Sequence, residues 1–266
     1  MAIGIITGSG TYTLPAFEGA HPAPITTEWG DAYVSRGKFA GVDVLHISRH
    51  GEGHVRLSNH VSHLANIAAL AQLGATGVLA VTVCGAVDPA VELGSLIVFD
   101  DLHFAANRLP DGRLSTFHQQ AGHPDRAHWI YEDPYSPALR SALLAGAAHA
   151  GVTVRDGGCY GHVDGPRFNT KAEIRGLAAS GVTAVSQTAG PETVLAGEAA
   201  LPFALVGYAT DYANGVMPEP TPVERLLELI AASTDTFGRV LAAAAPRIDE
   251  AALDPAGIVY RFHSDD

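Results

Sequence analysis

The stretch GIITGSG, Gly4 to Gly10, runs an apolar strand into two glycines around Ser9. Such a turn can hold an anion on backbone N–H groups and one hydroxyl. Further on, SRHG sets Arg49 beside His50 after a second strand, which offers a guanidinium fork and another donor. Thr82 in TVCGAV and Asp211 in ATDYA also stand at the C-terminal ends of predicted strands. Open α/β sheets bind ligands along that edge. Thr188 in SQTAGPETVLAGE precedes a predicted helix N-terminus, where it can meet an anion or simply cap the helix, and Glu192 fits either case. Phe168 in GPRF can stack on a flat base or belong to the core.

Other chemistries lack their residues. Gly8 and Gly10 have no third glycine at dinucleotide-binding spacing, the residues that follow (TLPAFEG) do not read as a helix, and no Gly-Lys-Ser/Thr occurs anywhere. A nucleotide diphosphate is therefore not the expected anion. The 13 histidines are scattered. His54, His60 and His63 crowd one segment but do not share a helical face, so no metal is expected. A hydrolase elbow, G-x-S-x-G, is absent.

The elements that must position these residues alternate. Strands are predicted at Gly4–Thr7, within Asp43–Gly51, over Thr76–Gly85, in GSLIVFDDLH and over FALVGYATDYA. Helices are predicted for NHVSHLANIAALAQLG with Gly74 as its stop, for SPALRSALLAGAAHAG, for TKAEIRGLAASG and for ETVLAGEAALP. A final helix, or a pair, follows in PTPVERLLELIAASTDTFGRVLAAAAPRI. TVRDGGCYGHVDGPRF reads as a strand-rich hairpin, and Ala105 to Asp125 as a long mobile loop. The class is α/β: one domain over residues 1–266, with a central mixed twisted sheet flanked by helices.

With 47% hydrophobic residues in 266, a large core is available. A formal net charge of −12 disfavours nucleic acid and anionic membranes as partners, while a small anion can still bind through local donors. Cys84 and Cys159 read as reduced thiols of a cytoplasmic protein. No basic n-region opens the chain, and no apolar run reaches the ~20 residues of a membrane span.

In order, IGIITGSG, SRHGEGH, ANIAAL, TVCGAV, GHVDGPRF, TAGPETVLAGE and ATDYA resemble the trimeric purine nucleoside phosphorylase and methylthioadenosine phosphorylase family, over about residues 3–235. The resemblance implies phosphorolysis: inorganic phosphate attacks C1′ of a purine nucleoside, giving free base and ribose 1-phosphate, with no metal or organic cofactor. It places phosphate on Ser9, Arg49, His50, Thr82, Val83 and Thr188. Gln187 would contact a ribose hydroxyl through its backbone N–H, Phe168 would stack on the purine, and Asp211 would face N7. Catalysis would rest on Asp211, Arg49 and His50, and His128 would close the 5′ end of a neighbouring subunit's site in a homotrimer.

Departures from the family pattern sharpen the substrate. Adenine-selective members carry D-Y-D where this chain has Asp211, Tyr212, Ala213 and Asn214. Ala213 removes the second carboxylate, and Asn214 can both donate and accept, which favours 6-oxopurines. Val223, Leu226 and Leu227 fall where methylthio-type members have an apolar wall, so a 5′-hydroxyl and a 5′-methylthio group both stay open. Gln187, and Ser62 with His63, replace a usual methionine and an Asn-Tyr pair, marking an altered sugar pocket or an unusual nucleoside. The alternatives are methylthioadenosine phosphorolysis, hydrolysis by a nucleosidase, and purine binding without turnover.

Overall fold

The computed structural model describes residues 2–12, 14 and 21–262. Thr13 and residues 15–20, which follow the GSG turn, lie outside the described residues, and with them the reading that TLPAFEG opens no helix. In chain order the elements are β1 (Ala2–Thr7), β2 (Ala23–Thr27), β3 (Gly30–Phe39), β4 (Val42–Ser48), α1 (His63–Gln72), β5 (Ala75–Ala86), β6 (Leu96–Val98), β7 (Asp101–His103) and β8 (Ala127–Ile130). There follow α2 (Pro137–His149), β9 (Val154–Asp156), β10 (Cys159–His162), α3 (Lys171–Ala179), β11 (Val182–Ser186), α4 (Ala189–Glu198), β12 (Phe203–Tyr212), α5 (Val223–Ala244) and β13 (Ile258–Arg261).

An 11-stranded mixed sheet runs β2-β3-β4-β1-β5-β11-β10-β7, with β12 branching from β5, β6 attached to β12 and β9 attached to β6. Strands β4, β1, β5 and β12 are mutually parallel, so their C-terminal ends share one edge. Apolar residues alternate between the faces of β5: Val78 and Ala80 pack into one core, Leu79 and Val81 into the other. Both faces are covered, α1 and α4 packing together on one and α2 and α5 on the other. That explains why these strands read as continuous apolar runs.

The pairing of β5 changes partway along. Its last partner on β1 is Ala80, opposite Ile6. Antiparallel pairing with β11 begins only at Gly85, opposite Val185. Residues 81–84 thus have no strand partner on that side, and the sheet opens there.

Helix signals hold locally. Gly74 has φ 75° directly after the α1 C-cap, Ser136 accepts from Leu139 N–H at 3.5 Å, and Thr170 with Glu173 forms a capping box. Other expectations are corrected. TVRDGGCYGHVDGPRF is no hairpin: β9 pairs with β6, whereas β10 pairs in parallel with β7 and β11. GSLIVFDDLH splits into β6 and β7, which join different parts of the sheet. Of the two readings of the C-terminal stretch the single helix holds, with 22 residues. Ala105 to Asp125 has no helix or strand but is fastened down, with Leu109 and Ser115 buried and Phe117 N–H donating to Glu198 at 2.7 Å. The β2–β3 hairpin and the small β8–β13 sheet had no counterpart in the sequence reading. No described helix is long and apolar enough to cross a membrane.

Candidate active site

A cavity of about 300 Å³ opens where β5 changes partners. Ser9 from the β1 exit, His50 from the β4 exit, Thr82 and Val83 from β5, and Thr188 ahead of α4 all line it. Around the same cavity stand Phe168, Asn169, Gln187, Asp211, Ala213 and Asn214.

Both glycines of the GSG turn answer to packing. A Cβ on Gly8 would overlap the Arg49 Nη1 atom. Gly10, at φ 80°, lies against the backbone of Ile230 on α5, and its carbonyl accepts from Thr234 Oγ1 at 2.6 Å. Ser9, between them, is left facing the cavity.

Arg49 departs from its expected place. It is only 1% exposed and does not line the cavity. Its Nε and Nη2 donate to the two carboxylate oxygens of Glu192 at 2.7 and 2.6 Å, and Nη1 donates to the Val81 carbonyl at 2.6 Å, in the unpaired stretch of β5. The guanidinium is a brace behind the wall, joining β4, β5 and α4. Glu192, fully buried, is the residue whose weight the sequence did not reveal.

His50 lines the cavity as expected, with a changed role. Its Nδ1 donates to the Arg56 carbonyl at 2.8 Å, since a carbonyl can only accept. Burial, then the Arg49 charge, pushes its pKa down to about 3. The ring is neutral and its Nε2 is an acceptor, not a second donor. Thr188 is buried and makes no capping hydrogen bond, so its hydroxyl is not engaged as a cap. The first N–H groups of α4 are already bound, Ala189 to Tyr160 Oη at 3.1 Å and Gly190 to His162 Nδ1 at 3.4 Å. Thr82 Oγ1 lies 2.9 Å from Ser186 Oγ.

Asp211 and Asn214 fix the far wall. Burial raises the Asp211 pKa, while Thr210 Oγ1 donates to its Oδ1 at 2.9 Å. Asn214 Nδ2 donates to the Asn169 carbonyl at 2.7 Å, which settles the amide orientation and leaves Oδ1 for a ligand. Ala213 is buried beside Val87, Ile174, Val182 and Val185. Phe168 is 62% exposed, so it is a cavity wall and not a core residue. The Gln187 side chain accepts from Ser58 Oγ at 2.9 Å and donates to the Arg167 carbonyl at 3.0 Å, packing where a Cβ on Gly165 would stand.

Val223 is 63% exposed at the start of α5 and, with Leu227, lies off the cavity; Leu226 and Ile230, on the inward face of the helix, line it instead. Ser62 and His63 do not line it either. Ser62 is exposed, whereas His63 is buried with Nδ1 3.8 Å from Glu192 Oε1 and no hydrogen-bond partner among the described residues. His128 is on β8, exposed and against Phe262, away from the cavity of its own chain. Among the described residues no group of His, Cys, Asp and Glu is arranged to hold a metal.

Buried neutral histidines set an acid limit. Burial lowers His46 to about 4 and His50 and His162 to about 3, against 6.5 for the free side chain. The folded state then binds fewer protons than the unfolded one below the free value, so stability falls with pH from there through the folded values. The urea midpoint is expected to drop steadily from about pH 7 to about pH 4.5, and a flat midpoint would show these rings to be hydrated.

Comparison with known proteins places this architecture. The phosphorylase superfamily model matches residues 2–246. The probable 6-oxopurine nucleoside phosphorylase of Thermococcus kodakarensis is 32% identical over 243 residues, covering 90% of each chain. The probable S-methyl-5′-thioinosine phosphorylase of Xanthomonas campestris is 36% identical over 238 residues, covering 88% of this chain and 93% of its own. The structure of Schistosoma mansoni methylthioadenosine phosphorylase with adenine superposes with a TM-score of 0.83 at 26% identity, over 92% of this chain and 91% of that one. The chain belongs to the phosphorylase superfamily.

Proposed function

We propose that the protein is a phosphate-dependent purine nucleoside phosphorylase selective for 6-oxopurines. The observation that carries the base preference is the Asn214 amide. With Nδ2 on the Asn169 carbonyl, Oδ1 can accept from N1–H of a 6-oxopurine, whereas N1 of adenine would meet it as a second acceptor. The relatives named for 6-oxopurine and thioinosine substrates support this reading.

Phosphate is held by neutral groups: the hydroxyls of Ser9, Thr82 and Thr188, the backbone at Val83, and His50 Nε2 accepting the proton of a monohydrogen phosphate. Arg49 acts from behind as a paired charge. The bound phosphate attacks C1′, and its negative charge stabilises the oxocarbenium-like transition state. Asp211, whose burial favours the acid form, gives a proton to N7; that proton leaves with the free base, and Asp211 is reprotonated from solvent before the next turnover. Phe168 covers the purine face. Leu226 and Ile230 make the remaining wall apolar, which suits a 5′-methylthio substituent better than a 5′-hydroxyl. The reaction needs no metal or organic cofactor, and His128 serves a neighbouring subunit in a homotrimer.

The test is product analysis by HPLC with inosine, guanosine, adenosine, methylthioinosine and methylthioadenosine, each with and without phosphate. Base release from the 6-oxopurines only with phosphate is expected. Phosphate-independent release would identify a nucleosidase, and no turnover would overturn the reading. Ala213→Asp brings a carboxylate to the base end and is expected to raise the 6-amino to 6-oxo ratio of kcat/KM by about tenfold or more, at some loss of stability beside Val87 and Ile174. An unchanged ratio would remove position 213 from the specificity determinants.

A further inference from the structure

The loop from Gly51 to Arg56 has a feature that the phosphate reading does not use. His54 adopts φ 57°, in the left-handed region that non-glycine residues seldom occupy. Gly51 and Gly53, which precede it, have φ 71° and 69°. The backbone conformation brings the His54 ring onto that of His50, with centroids 4.2 Å apart and planes 12° from parallel. On its other side His54 Nδ1 meets Tyr12 Oη at 3.0 Å, with the two rings edge to face. His54 also lines the cavity. A left-handed residue at a cavity wall is the sort of local cost that persists where the surroundings hold it in place.

The chain of contacts has a direction. Tyr12 belongs to the segment leaving β1, three residues beyond Ser9. His50 leaves β4. The Tyr12–His54–His50 stack therefore ties together the two strand exits that supply Ser9 and His50 to one cavity. The His50 ring is held at one edge by the Arg56 carbonyl and over one face by His54. Those two restraints fix both its plane and the direction of Nε2.

We propose that His54 is a positioning residue for the anion end of the site, acting through the His50 ring and, with Tyr12, through the turn that carries Ser9. The inference rests on the phosphate reading above. Its content is that ring stacking sets the affinity for the inorganic nucleophile and not for the nucleoside. His54→Ala removes the stack and the Tyr12 contact, His54→Phe keeps a ring without the hydrogen bond, and Tyr12→Phe removes only that bond.

The experiment is steady-state kinetics with phosphate and nucleoside varied separately, together with the thermal shift produced by inorganic phosphate alone. His54→Ala is expected to raise KM for phosphate about tenfold or more while changing KM for the nucleoside by less than about twofold. His54→Phe is expected to recover most of the phosphate KM, and Tyr12→Phe, which loses the same bond and keeps the native stack, to lie no further from the parent than His54→Phe. Equal rises in both KM values, or a phosphate KM within about twofold of the parent, would overturn the inference. If His54→Ala does not fold, His54→Asn, which also removes the ring and suits the left-handed backbone, decides it by the same ratio. If the parent protein cleaves no nucleoside yet shows a phosphate-induced thermal shift that these variants reduce, the inference survives and the phosphorylase reading fails. Absence of any phosphate effect on the parent sinks both.

Discussion

Asp211→Asn is expected to lower kcat for a 6-oxopurine nucleoside by about 10²- to 10⁴-fold, the range that one positioned proton donor supplies. The amide fills the same space beside Gly85 and can still accept from Thr210 Oγ1, but it has no proton to give to N7. The parent enzyme should lose activity as pH rises past the folded pKa of Asp211, which burial raises above 3.8. In the variant that alkaline limb should flatten. Stability should move the other way. A carboxyl whose folded pKa lies above its unfolded value destabilises the fold as pH rises between the two, and the cost remains at neutral pH. The asparagine variant should therefore be no less stable than the parent at pH 7 by urea unfolding. A variant that loses activity and stability together would show that Asp211 holds the wall rather than donates a proton.

Glu192→Gln carries the largest expected effect on folding, about 3–5 kcal/mol, because it leaves the Arg49 charge buried and unpaired. For a chain of this size that is a fall in Tm of roughly 10 °C. The carboxylate is fully buried, and both its oxygens are bound by one guanidinium at 2.7 and 2.6 Å. Water cannot take over the lost charge. The double variant Arg49→Met with Glu192→Leu removes both charges at once and should recover part of the loss. Its phosphate KM then reports what the pair contributes to the anion site. A loss below about 1 kcal/mol for Glu192→Gln would mean that the pair is solvated after all.

Much of the sheet could be read from the chain, for a simple reason. β1, β4, β5 and β12 are buried on both faces, so their apolar runs stand out, and polar residues at their ends mark the shared edge. Helix boundaries at Gly74, Ser136 and Thr170 were legible because capping is local chemistry. What the sequence hid is non-local. β6, β7, β9 and β10 are each three or four residues long, and nothing in so short a run says which strand it will pair with. The pairing of Arg49 with Glu192 spans 143 positions and turned an expected anion ligand into a brace. Val223 and Leu226 are three residues apart on one helix, yet only Leu226 meets the cavity, a matter of helix rotation that residue type does not encode.

The exchange of partners along β5 has an evolutionary consequence. Because residues 81–84 open the sheet itself, the proposed receptacle for the anion is built from the same backbone that holds the two cores together. It cannot drift without loosening the fold. The groups we propose to face the base and the 5′ substituent come instead from separate pieces of chain: Phe168 and Asn169 before α3, Ala213 and Asn214 after β12, Leu226 and Ile230 on α5. Each of these pieces can be exchanged alone. A scaffold of this kind can diversify its choice of nucleoside by single substitutions while the nucleophile it uses stays the same.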